Sequence, residues 1–320
     1  MFSGFLATVE AELQTQLGGS TPPKDEALLT AARHLVFSGG KRARPLLVKI
    51  FGDTLGVDER RLVDAAVAAE FMHAASLLHD DVVDAGMYRR GQPTVNARWG
   101  NSVAVLSGDL LLSNGLLKMC QSDQQLGASA LSTVQEMTRA AIAEVEARGN
   151  VNLTVEQLRA IAEGKTGALF GWCGRAAAHI AGNEAAGARF DLFGRKLGVA
   201  FQMADDIRDV TGTDPGKPQF ADLQSRTPSL PIVLAMRDSP RFRERLTELW
   251  HFGAITPEKV RELGTSLLVS SALDEATDMM NREIDTAVAA LGSYAEHESG
   301  RALVQWARAL AQGMALRGAA

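Results

Sequence analysis

Residues 62–84 read LVDAAVAAEFMHAASLLHDDVVD, a run too long for a strand and rich in Ala, Leu and Met, which enter helices at little cost. Positions 73, 77, 80 and 84 follow one another at intervals of four, three and four, so His73, Asp80 and Asp84 share one stripe of that helix. The remaining turns are mostly Ala, Val and Leu, which predicts a helix buried on most sides with its polar stripe lining an internal cavity. A second apolar segment, GVAFQMADDIRD (198–209), ends the same way. Here Gln202, Asp205, Asp206 and Asp209 occupy i, i+3, i+4 and i+7, and Asp205 lies 125 residues beyond Asp80. That offset is too long for a solenoid repeat; it suits two long helices of one bundle that present acids to a shared cavity.

Carboxylates packed this closely repel one another and lose solvation unless a cation neutralises them. An oxygen-only donor set calls for a hard ion, and Mg2+, which keeps waters and shares phosphate oxygens, fits better than zinc. A lone DDVVD is usually a solvated helix end, but two copies on matched stripes argue against that. Three cation clusters accompany the acids. SGGKRARP (38–45) is a flexible turn carrying Lys41, Arg42 and Arg44 into the start of a helix, where backbone amides add to an anion site. Arg42 is expected to be an ordinary surface cation. Arg89 and Arg90 follow Asp84 by five and six residues, and Lys165 with Thr166 interrupts an Ala/Gly/Leu-rich helix. Two acid clusters for metal and three cation clusters for phosphate describe a site for two diphosphates. His79 points off the stripe and reads as structural.

The rest of the chain is helical in pattern. Helices are expected near 3–17, 25–37, 42–56, 58–84, 100–121, 124–147, 154–181, 184–210, 229–247, 257–290 and 295–316. The segment 210–231 is too polar and too rich in Gly and Pro for helix, and a loop of that length in a compact domain is usually functional. No linker divides the 320 residues, so the expectation is one all-α domain, a single large helical bundle over 1–320. A net charge of −5 with mixed signs argues against nonspecific nucleic-acid binding. The two cysteines, Cys120 and Cys173, read as reduced thiols. The first residues carry Glu10 and Glu12 and lack a basic lead, unlike a signal peptide, and no run of 18 uncharged apolar residues occurs. A cytoplasmic protein without a transmembrane segment is expected.

Taken together, GGKRARP (39–45), FMHAASLLHDDVVDAGMYRRGQPTVN (71–96), GKTGALF (164–170), FQMADDIRD (201–209) and GKP with Asp222-Leu223 (216–223) resemble the trans-isoprenyl diphosphate synthases, or polyprenyl synthetases, over about residues 25–315. The resemblance implies the isoprenoid synthase fold, a helical bundle around a deep central cavity, usually a homodimer, and head-to-tail condensation of isopentenyl diphosphate with an allylic diphosphate. Carried over by position, Asp80, Asp84 and Asp205 would bind Mg2+ bridging the allylic diphosphate, with Asp81 and Asp209 in support. Arg89 and Lys165 would hold that diphosphate, and Lys217 would contact it. Lys41, Arg44, His73 and Arg90 would hold isopentenyl diphosphate, while Thr166 and Gln202 face the reacting end. The chain departs from the family pattern where Phe220 replaces a glycine and Ser225-Arg226 replaces Gly-Lys. The small Ala75 and Ser76, one turn before Asp80, and the segment GNSVAVLSGDLLLS (100–113) resemble long-chain synthases and imply products longer than farnesyl. A class I terpene cyclase would need no isopentenyl site, and a noncatalytic subunit commonly lacks one of the two acid motifs.

Overall fold

A computed structural model describes residues 2–19, 26–213 and 218–311. Among these are sixteen α-helices and one two-residue hairpin. The first half holds α1 (Ser3–Gln16), α2 (Ala27–Val36), α3 (Ala43–Thr54), α4 (Val63–Val83), the hairpin β1–β2 (Tyr88–Arg89 and Gln92–Pro93), α5 (Val95–Trp99), α6 (Asn101–Ser122) and α7 (Gln124–Ala147). The second holds α8 (Val155–Ala162), α9 (Ala168–Ala181), α10 (Glu184–Thr211), α11 (Ala221–Ser225), α12 (Leu230–Asp238), α13 (Pro240–Thr247), α14 (Pro257–Leu268), α15 (Ser271–Leu291) and α16 (Glu298–Ala311).

Two long helices, α4 and α10, carry the acid motifs and run through the core. Along α4, Ala65 to Ala69, Phe71, Met72, Ala74, Ala75 and Leu78 are all buried. Gly108 and Gly115 let α6 lie close on α4; a Cβ at Gly108 would meet the His79 ring at 2.3 Å. On the other side α9 and α10 nearly touch. A Cβ at Gly198 would stand 2.4 Å from the Gly167 Cα, and one at Gly194 would stand 2.4 Å from the Phe170 backbone. Glycine is needed there because any side chain would wedge the helices apart. Phe51, Phe190 and Phe193 knit α3 to α10, the first two stacked at 4.6 Å. Each such buried ring contributes about 1.5–3 kcal/mol by leaving water.

Several expected helices break. The segment 229–247 divides at Ser239, whose backbone is extended and whose hydroxyl accepts the Phe242 N–H, with Pro240 opening the next helix. The segment 257–290 divides where Ser270 turns extended. Within 154–181 the helix widens into one π turn, Glu163–Gly167, at the Lys165-Thr166 pair. The 210–231 loop holds the short α11. By length and composition α6 is apolar enough to cross a membrane, although it was not expected to be; it carries Asp109 and Lys118 and packs along α4.

Candidate active site

The C-terminal ends of α4 and α10 open onto a cavity of about 590 Å³. Asp80, Asp84 and Arg89 line one side, Gln202, Asp205, Asp206 and Asp209 another, and Lys165 reaches in from the π turn. Lys165 Nζ lies 3.7 Å from Asp80 and contacts Glu144 of α7. Burial holds the Asp80 carboxyl above the usual aspartate range, and Lys165 offsets only part of that effect. Burial alone would lower the Lys165 ammonium, but Asp80 and Glu144 outweigh it and keep it charged. Asp205 pairs with Arg208. Asp209 is buried and accepts the Asp222 N–H at 3.3 Å.

Asp81 faces away from this cavity. It is buried and takes Arg89 in a forked pair, Nη2 to Oδ1 at 2.8 Å and Nε to both oxygens at 3.0 Å. Asp206 receives the Leu230 N–H at 2.9 Å and the Gln202 Nε2 at 3.0 Å, and burial pushes its carboxyl up to about 6. It thereby pins the start of α12 to α10. Thr166 follows Lys165 in the π turn, partly buried, and does not line the cavity.

The hairpin separates two sets of cations. Arg90 and Gly91 form its turn with φ of 52° and 76°, the left-handed pair that a two-residue hairpin requires. Arg89 thus reaches back to Asp81, while Arg90 reaches across to the Gly39 carbonyl and to Ser38 Oγ at 3.5 Å. Gly39 and Gly40 take φ of 95° and 146°, open only to glycine, and a Cβ at Gly40 would lie 3.0 Å from the Arg90 guanidinium. Arg44 and His73 complete this second set. Burial first, then Arg44 and Arg90, hold the His73 imidazole well below the ordinary histidine range, so it is neutral. Burial draws the Arg44 guanidinium down to about 10. Lys41 is exposed at the end of the same turn.

Arg42 is not a surface cation. It is 8% exposed and bonds Glu10 of α1, Glu70 of α4 and the Val36 carbonyl, all at 2.6–2.7 Å, because the left-handed turn at Arg42 (φ 47°) folds its side chain inward. His79 contacts the Val105 carbonyl at 3.2 Å and Asp109 at 3.4 Å, bridging α4 to α6. Lys217 lies outside the described residues.

The sequence reading missed Glu144 and Arg148, which sit four residues apart on and just after α7 and both line the cavity, Arg148 pairing with Asp84. Their i, i+4 spacing was visible, but only packing shows which face of α7 meets the acids. The two family departures sit on the loop above. Phe220 is left-handed (φ 63°) with its ring pressed on Gly264 of α14; Arg226 is exposed and gives its carbonyl to the Gly149 N–H at 2.8 Å. Trp250 Nε1 holds the Leu223 carbonyl at 3.0 Å.

A hard divalent ion fits this donor set, since every acid in the cavity offers oxygen alone. Among the described residues no three His, Cys, Asp or Glu side chains converge on one point.

Comparison with known proteins agrees. The polyprenyl synthetase family model matches residues 25–267. The chain is 35% identical over 242 residues to heptaprenyl diphosphate synthase component 2 of Geobacillus stearothermophilus, covering 73% of each. It is 33% identical over 281 residues to the octaprenyl diphosphate synthase of Haemophilus influenzae, covering 86% of this chain and 84% of that one. The crystal structure of a Caulobacter crescentus polyprenyl synthase, complexed with calcium and isoprenyl diphosphate, superposes with a TM-score of 0.90 at 28% identity, covering 98% and 96% of the two chains. The chain has the isoprenoid synthase fold and belongs to the polyprenyl synthetase family of prenyltransferases.

Proposed function

We propose that the chain, acting as one unit, condenses isopentenyl diphosphate with an allylic diphosphate in a Mg2+-dependent reaction, giving an all-trans polyprenyl diphosphate longer than farnesyl. The observation that carries this reading is the division of cations at the hairpin. Arg89 and Lys165 stand with the acids, whereas Arg44, Arg90 and His73 stand apart around the glycine turn. One diphosphate needs metal to leave; the other needs only to be held.

Asp80, Asp84, Asp205 and Asp209 would hold magnesium, which when bound draws charge from the allylic diphosphate. Lys165 and Arg89 neutralise the departing oxygens, with Asp81 fixing the direction of Arg89. Lys217 belongs to the same group. Gln202 commits its Nε2 to Asp206, which leaves its carbonyl oxygen as the group offered to the allylic cation. Lys41, Arg44, His73 and Arg90 hold isopentenyl diphosphate with its double bond toward that cation. As the allylic C–O bond breaks, the new C–C bond forms, and the released pyrophosphate takes the proton lost from the isopentenyl unit.

Exposed Val105, Leu106 and Leu117 on α6 with Leu131, Ile142 and Val145 on α7 form an apolar face that a second copy would cover in a cytoplasmic homodimer. Sedimentation velocity of the wild type as a monomer would remove the dimer. For the reaction itself, purified protein with Mg2+, isopentenyl diphosphate and an allylic diphosphate should release one pyrophosphate per unit added. Excess EDTA should abolish turnover, and Asp80→Ala or Asp205→Ala should lower kcat by orders of magnitude with the fold intact. Undiminished turnover in EDTA would sink the mechanism.

A further inference from the structure

Among the described residues Arg44 makes no ion pair, and its buried Nε has no hydrogen-bond partner. Aromatic rings hold it instead. Its guanidinium carbon lies 5.0 Å from the Phe170 centroid. Phe170 stacks on Trp306 at 6.2 Å with planes 26° apart, and Phe201 closes one side at 6.1 Å. Phe170 and Trp306 are 2% and 9% exposed. Trp306 belongs to α16, which packs on α3 and α10 and lies beyond the 25–267 segment matched by the family.

A ring face attracts a guanidinium without cancelling its charge, whereas a carboxylate there would neutralise what a diphosphate needs. The face works only while the ring stays flat beneath the cation. Trp306 stacks on that ring, and loss of the indole would leave a void into which Phe170 could turn. Among the described residues the buried indole Nε1 has no hydrogen-bond partner, and the contact Trp306 makes with Phe170 is through its ring face.

We propose that Trp306 is a positioning residue for isopentenyl diphosphate: it holds Phe170 under Arg44 and so aims the guanidinium at the bound anion. This rests on the reading above, in which Arg44 binds that substrate. The C-terminal helix then belongs to the isopentenyl site although it contributes no group that touches the substrate.

The test varies each diphosphate in turn against Trp306→Ala, Trp306→Leu and Trp306→Phe. Alanine and leucine should raise the KM for isopentenyl diphosphate about three- to tenfold, the scale of a lost cation–π platform, with allylic KM and kcat within about twofold. Phenylalanine, which keeps a ring face, should restore the wild-type KM. In an Arg44→Gln background Trp306→Leu should add no further loss. Leucine keeps most of the buried volume, so the experiment stands even where alanine fails to fold. Equal rises in both KM values, or a Trp306→Leu penalty that persists without Arg44, would overturn the proposal. A wild type that does not consume isopentenyl diphosphate removes the reading beneath it; an active wild type whose leucine variant keeps its KM removes the proposal alone.

Discussion

The Arg44 guanidinium is a cation that the folded chain holds against its own stability. Burial lowers it from the ordinary arginine range to about 10. Its stabilising contribution is full only above the ordinary arginine range, where it is neutral in both states, and is lost as pH falls through about 10. At neutral pH the charge therefore costs free energy. Replacing such a buried ion by an apolar side chain of similar length is often stabilising, so Arg44→Met should gain on the order of 1 kcal/mol. For a chain of this size the melting temperature should rise by about 2 °C. The same variant should weaken isopentenyl diphosphate at least tenfold, because a charge-assisted contact is lost. A melting temperature that falls, or an unchanged KM, would show that Arg44 has a partner in the fold. Arg42 is the counterexample two residues earlier, with Glu10 and Glu70 both on its guanidinium. Sequence could not tell them apart, since in GGKRARP each is a basic residue after a glycine turn and only tertiary packing decides which receives carboxylates.

At the level of elements, periodicity located most helices, because their apolar faces repeat at 3.6 residues and Gly or Pro separates them. It missed breaks made by other means. Ser270 ends one helix by turning extended, with no Gly or Pro nearby to mark it, and Pro240 is compatible with a helix's first turn and so did not stand out as a boundary. The π turn at Lys165 escaped as well, since widening by one residue leaves composition unchanged. The loop after α10 departs from the family pattern, and Phe220 shows how it compensates. A non-glycine residue in the left-handed region costs about 1–2 kcal/mol. Burying the ring against Gly264 returns more, since deleting a core phenylalanine costs about 3–5 kcal/mol. Phe220→Gly should therefore relax the backbone yet destabilise the loop by about 2 kcal/mol net. Amides of residues 218–229 should exchange faster by a factor of about thirty, while those of α4 and α10 stay protected. Slower exchange there would mean that backbone strain outweighs the ring.

For the whole molecule, two aspartate stripes 125 residues apart implied a shared cavity, and the bundle brings them to one. Sequence could not supply the wall between them: Glu144 and Arg148 enter it only because α7 packs with that face inward. Bulk below the acids bears on product length. Each isoprene unit added buries five carbons, about 4 kcal/mol at ~0.8 kcal/mol per methylene, so elongation is favourable until side chains block it. A short product thus requires bulk below the acids. One turn below Asp80 the chain has Ala75, buried at 2% exposure, and Ser76, whose hydroxyl folds back to the His73 carbonyl at 2.8 Å. Neither is a plug. Ala75→Phe supplies the missing bulk. Overpacking a helix core costs about 1–3 kcal/mol, which a chain of this size should survive, and melting curves can verify that. Chromatography of the products should then show the distribution shifted toward shorter chains, with the initial condensation rate on the shortest allylic substrate nearly unchanged. A wild type that stops at farnesyl diphosphate, or a variant with the wild-type product distribution, would place the stop on another helix.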